Sequence, residues 1–375
     1  MLFEHCLQGT ELPRNPVHRA GEVDIRTHWS RPNLYYPSFH LCSYTTMRSV
    51  VPLANIPVEL FTSIRSTDMP FAYGLEKLEP AFEDRAVPYI AYGARFPSLT
   101  ADQLVQTLGD ERVFIIAGKT LSEKTPALTR LKSAIDRQPS LKLVGTHIGI
   151  SPHTPWDEVV AITNEARTAF GGEVTDRDVI VTLGGGSLTD GSKVIAWALS
   201  NPDVKEDKDL SKYCSIDAGY DASKLPPPKV RVVSIPTTLS GGEYQALAGV
   251  TRSDGSGQKC PFYPPLRNPS LVILDPDLTT TTPSKFWLST GVRAIDHCVE
   301  TLCSLQSNFQ GDEAAERGLR QLVPSLLRTK RDAHGLDARF ESQRGVIQAM
   351  SAVGSGVPLG ASHAIGHQLG EYWSC

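Results

Sequence analysis

The chain has 375 residues, 40% of them apolar and 21% charged, with a formal net charge of −4. This is the texture of an ordinary globular protein with room for two or three domains. It excludes a basic nucleic-acid binder and an acidic disordered tail, and no apolar run approaches the length of a membrane span.

The N-terminus, Met1-Leu-Phe-Glu-His-Cys6, lacks the basic start and apolar core of a secretory signal. Seven cysteines, at 6, 42, 214, 260, 298, 303 and 375, form no C-x-x-C pair. An odd, scattered set implies reduced thiols and a cytoplasmic setting, and argues against a structural zinc knuckle.

Residues 1–86 read as a partly irregular extension, interrupted by Pro13, Pro16, Pro32, Pro37, Pro52, Pro57 and Pro70. From about Val87 the text becomes regular. Tyr89–Gly93 predicts a strand, Ala101–Leu108 a helix, Arg112–Gly118 a strand buried on both faces, and Pro126–Ile135 a helix. Leu141–Gly145 predicts a strand and Trp156–Phe170 an amphipathic helix. Alternation at this rhythm predicts a parallel α/β sheet with helices on both faces. Asn201–Pro228 is a polar surface excursion. Val230–Ile235, Ala246–Asp254 and Leu271–Asp275 predict further strands, the last two flanking a proline-rich loop. After Pro283 come four helical stretches: Phe286–Ser304, Asp312–Thr329, Arg339–Val353 and Ser362–Leu369. The expected organisation is the 1–86 extension, an α/β nucleotide-binding domain over 87–284, and a helical domain over 285–375.

Two turns carry chemistry. In Val179-Ile-Val-Thr-Leu-Gly-Gly-Gly-Ser-Leu-Thr-Asp-Gly-Ser-Lys193 a buried strand breaks at glycine and restarts as a helix. Free amides at a helix start, unobstructed by side chains, attract phosphate. Lys193 reads as a mobile cation beside them. The pattern matches neither G-x-G-x-x-G nor the Walker loop. The second turn, Pro236-Thr-Thr-Leu-Ser-Gly-Gly-Glu243, follows the next strand, and the two suit opposite walls of a dinucleotide cleft. Taken alone, Thr237 and Thr238 could equally cap a simple turn.

In the helical region, Arg293 and His297 share one helix face, as do His363 and His367. Two His at i, i+4 can bind a metal or hold a substrate, and can equally be surface polarity or a core hydrogen bond.

As a set, Gly184-Gly-Gly-Ser-x-x-Asp-x-x-Lys193, Pro236-Thr-Thr, Asp275-Pro-x-Leu-Thr279, Gly291-x-x-Ala-x-x-His-x-x-Glu300 and His363-x-x-x-His367 resemble the iron-containing alcohol dehydrogenase family. That family shares its fold with dehydroquinate synthase. The likeness covers residues 87–375 and leans towards the maleylacetate reductase-like branch. It implies a nicotinamide dinucleotide, NAD or NADP, lining Gly118, Gly185, Gly186, Ser187 and Asp190 on one side and Thr237, Thr238 and Leu239 on the other. It implies hydride transfer between a small alcohol and a carbonyl, with Arg293, His297, His363 and His367 as the catalytic candidates, and a homodimer that binds neither nucleic acid nor membrane.

Three departures modify that expectation. Family members carry a metal-ligating Asp where Arg293 stands. A guanidinium cannot ligate a cation but can grip a carboxylate bidentately. A metal-free site is therefore favoured over an iron or zinc site built on His297 and His363 with Asp296 drawn in. Ala117-Gly-Lys-Thr120 replaces the Asp that restricts members to NAD, and Lys119 could attract a ribose phosphate, which favours NADP. The chain also stops at Cys375 before the family's later helices, so an incomplete helical domain would leave Ile347, Val353 and Leu359 partly exposed. The alternatives are a non-catalytic nucleotide-binding remnant and a dehydroquinate synthase-like lyase.

Overall fold

The computed structural model describes residues 71–210, 213, 226–262 and 266–366. By internal packing the chain divides into Met1–Asn55 and Ile56–Cys375, and every described residue belongs to the second unit. The expected irregular segment up to residue 70, and His367, lie outside the described residues.

In chain order the first half contains β1 (Lys77–Pro80), β2 (Tyr89–Tyr92), α1 (Phe96–Gln103), β3 (Arg112–Ala117), α2 (Lys119–Lys124), α3 (Ala127–Asp136), β4 (Lys142–Ile148), α4 (Trp156–Ala169), β5 (Asp178–Gly184) and α5 (Gly186–Leu199). The second half contains α6 (Asp207–Leu210), β6 (Arg231–Pro236), β7 (Ala248–Thr251), β8 (Lys259–Phe262), β9 (Leu271–Ile273), α7 (Pro276–Thr279), α8 (Ser284–Cys303), α9 (Phe309–Arg331) and α10 (Leu336–Gly354). A further helical stretch covers 361–366.

Among the described residues, seven strands form one sheet in the order β1-β2-β9-β6-β5-β3-β4. Side chains alternate across it as strand geometry requires. Phe114 and Ile116 of β3 face a core shared with α4 and α5, whereas Val113, Ile115 and Ala117 face a core shared with α1 and α3. This double burial explains the unbroken apolar texture of β3, β5 and β6. A third core joins Val272 and Leu274 to Trp287, Leu322, Val346 and Met350 of the C-terminal helices.

The sheet is not purely parallel. β1 pairs antiparallel with β2, Lys77 opposite Tyr92. It escaped the sequence reading because Lys-Leu-Glu-Pro has no apolar run, a composition that suits an exposed edge. The strand expected over Ala246–Asp254 is the first arm of an antiparallel β7–β8 hairpin, whose turn contains Gly255 and Gly257 at φ +83° and +66°. Ile347, expected to be partly exposed, is buried in the third core, while Val353 and Leu359 are half-buried.

Topology places the site. From β3 the chain runs outward to β4, then returns to β5 on the other side of β3. The sheet therefore has its switch point between the carboxyl ends of β3 and β5, where open α/β sheets bind ligands. Gly118 follows β3, and its amide donates to the Leu183 carbonyl at 2.9 Å. Thr237 ends the β6 connection, and its amide donates to the Gly184 carbonyl at 3.0 Å.

Candidate active site

The loop leaving β5 and the loop leaving β6 press together beside the switch point. A Cβ on Gly186 would lie 2.8 Å from the Ser240 Cβ, and one on Gly185 would lie 3.3 Å from the Thr238 methyl. Gly184 has φ +153°. Glycine is required at Gly186 because real Cβ atoms do not approach so closely. α5 starts here with Gly185 as its N-cap, and no side chain caps it. Its first amides and its dipole are therefore available to an anion. Ser187 and Thr238 are half-buried beside them, and the Thr238 and Ser240 hydroxyls are 3.0 Å apart.

The other residues expected along the cofactor play more structural parts. Thr237 is buried, and its carbonyl accepts from the Thr282 hydroxyl at 2.8 Å. Leu239 packs into the third core, and its amide donates to the Thr290 hydroxyl at 3.1 Å. Asp190 pairs with Lys193 at 2.9 Å and accepts from the Gly249 amide at 3.4 Å.

Lys193 corrects the sequence reading. It is 1% exposed, and its ammonium donates to the carbonyls of Gly242 (2.8 Å), Gln245 (3.3 Å) and Leu247. It is a buried tie between α5 and the β6–β7 connection, not a mobile cation. Its apolar surroundings were invisible because Val194–Trp197 read as a helix with no indication of which side faced inward. Glu243, missed as a functional group, is buried near the same ammonium, and burial pushes its carboxyl up to about 7, with Lys193 opposing.

The second half of the site comes from α8 and the stretch 361–366. His297 is 6% exposed, and its ring lies 5.3 Å, centre to centre, from that of His363. Glu300, one turn on from Asp296, accepts from the amides of Gly360 and His363, both at 3.0 Å, and from the Ser362 hydroxyl. The Ser362 hydroxyl also reaches Asp296 at 2.7 Å. These bonds clamp the start of 361–366 onto α8 and turn His363 towards His297. Burial works against ionisation at Glu300, yet the Ser362 hydroxyl and the His363 and Gly360 amides outweigh it and hold the carboxyl below its usual range. Burial, then Arg293 and, more weakly, Lys259 of β8 depress His363, against the opposing pull of Glu300 and Asp296. Arg293 itself is exposed on α8, one turn before His297.

Among the described residues, Asp296, Glu300 and His363 bring donor atoms within 4.8 Å of one another. Two carboxylates and an imidazole are a workable donor set for a divalent cation. The sequence reading placed His297 and His363 in that role with Asp296 drawn in. The fold adds Glu300, a ligand that the i, i+4 spacing from Asp296 could have suggested. His297 sits beside the group rather than within it.

The family profile for iron-containing alcohol dehydrogenase matches residues 98–276. Dehydrogenase FUM7 of Gibberella moniliformis is 35% identical over 300 residues, covering 76% of this chain and 68% of that protein. The chain belongs to the iron-containing alcohol dehydrogenase family. Dehydrogenase ALT3 of Alternaria alternata is 34% identical over 278 residues, covering 70% of this chain and 68% of that protein. A crystal structure of maleylacetate reductase from Agrobacterium tumefaciens superposes with a TM-score of 0.58 at 23% identity, over 82% of this chain and 71% of that one, a likeness of fold. As a member of this family the chain is an alcohol dehydrogenase/reductase-type enzyme, and the family uses NAD(P) and often a metal. No helix among the described residues is long and apolar enough to cross a membrane.

Proposed function

We propose that this iron-containing alcohol dehydrogenase family member transfers a hydride between NAD(P) and a small carbonyl or alcohol that bears a carboxylate. One observation carries the reading: an uncapped helix start at the sheet's switch point meets the hydroxyl loop of the neighbouring strand. Gly185, Gly186 and Ser187 would hold the pyrophosphate on backbone amides, with Thr238 on the facing wall. When bound, the nicotinamide supplies or accepts the hydride. The chain's own residues bind and orient the substrate and handle its proton. His297 and His363 form a pair of imidazoles fit to donate to or accept from the reacting oxygen. Arg293 has the geometry to grip a carboxylate with two parallel hydrogen bonds. The maleylacetate reductases among the relatives act, as their name says, on a carboxylated compound.

The deciding experiment compares wild type with Arg293→Ala on paired aldehydes, one carrying a carboxylate and one uncharged. KM for the carboxylated aldehyde should rise at least roughly tenfold while the uncharged one changes little. Equal effects on both would remove Arg293 as the anchor.

A second reading rests on Asp296, Glu300 and His363. A divalent cation held there would polarise the substrate oxygen as a Lewis acid. Metal analysis of the purified protein separates the two. Near-stoichiometric metal, lost in Asp296→Asn, supports the second reading, and its absence from protein purified with no chelator supports the first.

A further inference from the structure

α8 carries apolar residues on two sides. On the inner side, a Cβ at Gly291 would lie 2.6 Å from Leu326, one at Gly318 would lie 2.8 Å from the Cys298 sulfur, and one at Gly311 would lie 3.1 Å from Thr301. Those three approaches lay α9 antiparallel along α8. The outer side carries Leu288, Val292, Ile295, Val299 and Leu302. They are spaced alternately four and three residues apart, so they form one stripe down the helix, at the spacing with which helices pair. Leu288 and Ile295 are half-buried against the third core, whereas Val299 and Leu302 are exposed and Val292 is 59% exposed. No charged residue interrupts the stripe.

The apolar surface continues onto α9. Leu305, between the two helices, is fully exposed, and Phe309, at the start of α9, is 81% exposed. Leu327 is exposed about five turns after Phe309, on the same side of α9. Leu319 and Val323 lead to it at four-residue spacing and are half-buried. Val292, Val299, Leu302, Leu305, Phe309 and Leu327 together leave on the order of 600 Å² of apolar side chain in water. That is the upper end of what one patch on a monomer shows. It is also enough for one side of a standard interface, about 800 Å² per copy, of which a little over half is apolar. The α8 stripe is self-complementary as well. Read in either direction it is Leu, Val, Ile, Val, Leu. Two copies of α8 laid antiparallel about Ile295 set Val292 against the partner's Val299 and Leu288 against the partner's Leu302, which is what a two-fold interface requires of a single surface.

We propose that the outer face of the α8–α9 hairpin is a two-fold interface with a second copy of this chain, centred on Ile295. The proposal is independent of the hydride-transfer reading. Because α8 also carries Arg293, Asp296 and His297, the candidate sites of the two copies are joined through their α8 helices.

The test is sedimentation velocity of the full chain at rising concentration, on wild type and on the double variant Val292→Glu with Val299→Glu. Both positions are exposed, and matching circular dichroism spectra and melting curves establish that the fold survives the change. Wild type should sediment at micromolar concentration as a species of twice 40.9 kDa. The double variant should raise the dimer dissociation constant roughly a hundredfold or more, because unpaired carboxylates are costly at the centre of an interface. If the double variant misfolds, Ile295→Cys decides: under mild oxidation the introduced thiols should cross-link across the two-fold, equally well when Cys303→Ser is added. A dimer untouched by the two glutamates, or the absence of that cross-link, places the contact elsewhere and overturns the proposal. A wild-type monomer at every concentration overturns it too. If the thiol introduced by Val292→Cys then resists alkylation, a segment of this chain outside the described residues covers the face; if it reacts freely, the face belongs to a different protein.

Discussion

Single atoms decide how the loops after β5 and β6 meet. The 2.8 Å that would separate a Gly186 Cβ from the Ser240 Cβ means that Gly186→Ala must push the two loops apart. Dinucleotide affinity should fall roughly tenfold or more, because small misplacements in such a site are costly. Fluorescence titration reads this, and an unchanged affinity would show that the loops do not grip the ligand together. Glu243 makes a different prediction. Burial lifts its carboxyl from 4.5 to about 7, so between those values the folded chain holds a proton that the unfolded chain has released. Its contribution to stability is therefore full below about pH 4.5 and is lost as pH rises through about 7, an effect on the order of 3 kcal/mol at most. Asp110, also raised by burial to about 7 despite Arg231, adds a similar slope, so the variant must be compared with wild type. Glu243→Gln should gain melting temperature relative to wild type at pH 8 but not at pH 5. An equal difference at both would mean that Glu243 is ionised throughout.

At the scale of elements, the buried ammonium of Lys193 makes α5 and the β6–β7 connection one body. It donates to three carbonyls and pairs with Asp190. Lys193→Met would leave those carbonyls and one carboxylate without their cation, a loss of about 3 kcal/mol or more. The urea midpoint should drop accordingly, and a drop within error would mean that water replaces the ammonium. The sequence showed the elements that bury both faces: β3, β5 and β6 stand out as apolar runs, and Trp156–Ala169 as a periodic helix. It did not show β1, α2 or β8: β1 and β8 are four-residue strands fixed by pairing, and α2, Lys-Thr-Leu-Ser-Glu-Lys, buries no residue that could set a periodic apolar pattern. In the same way the glycine turn was legible from its composition. The clamp of Glu300 on Gly360 and His363 was not, because it joins residues 60 apart or more in the chain.

Across the whole molecule, the proposed function joins two regions distant in sequence into one site. The sheet offers an uncapped helix start at its switch point, and α8 with 361–366 offers two imidazoles and a guanidinium. The repeating alternation that predicted the sheet was readable, whereas the nearness of His363 to His297 was not, because the two lie on separate helical stretches. What ties the two regions together is the third core, where Leu239 of the loop after β6 packs with Trp287 of α8. A crystal structure of the protein with NADP+ tests this account most directly. The account predicts the pyrophosphate within hydrogen-bond distance of the Gly186 and Ser187 amides and the nicotinamide turned towards His297 and His363. A dinucleotide bound away from the β5–α5 turn, or with its nicotinamide facing away from those imidazoles, would contradict it.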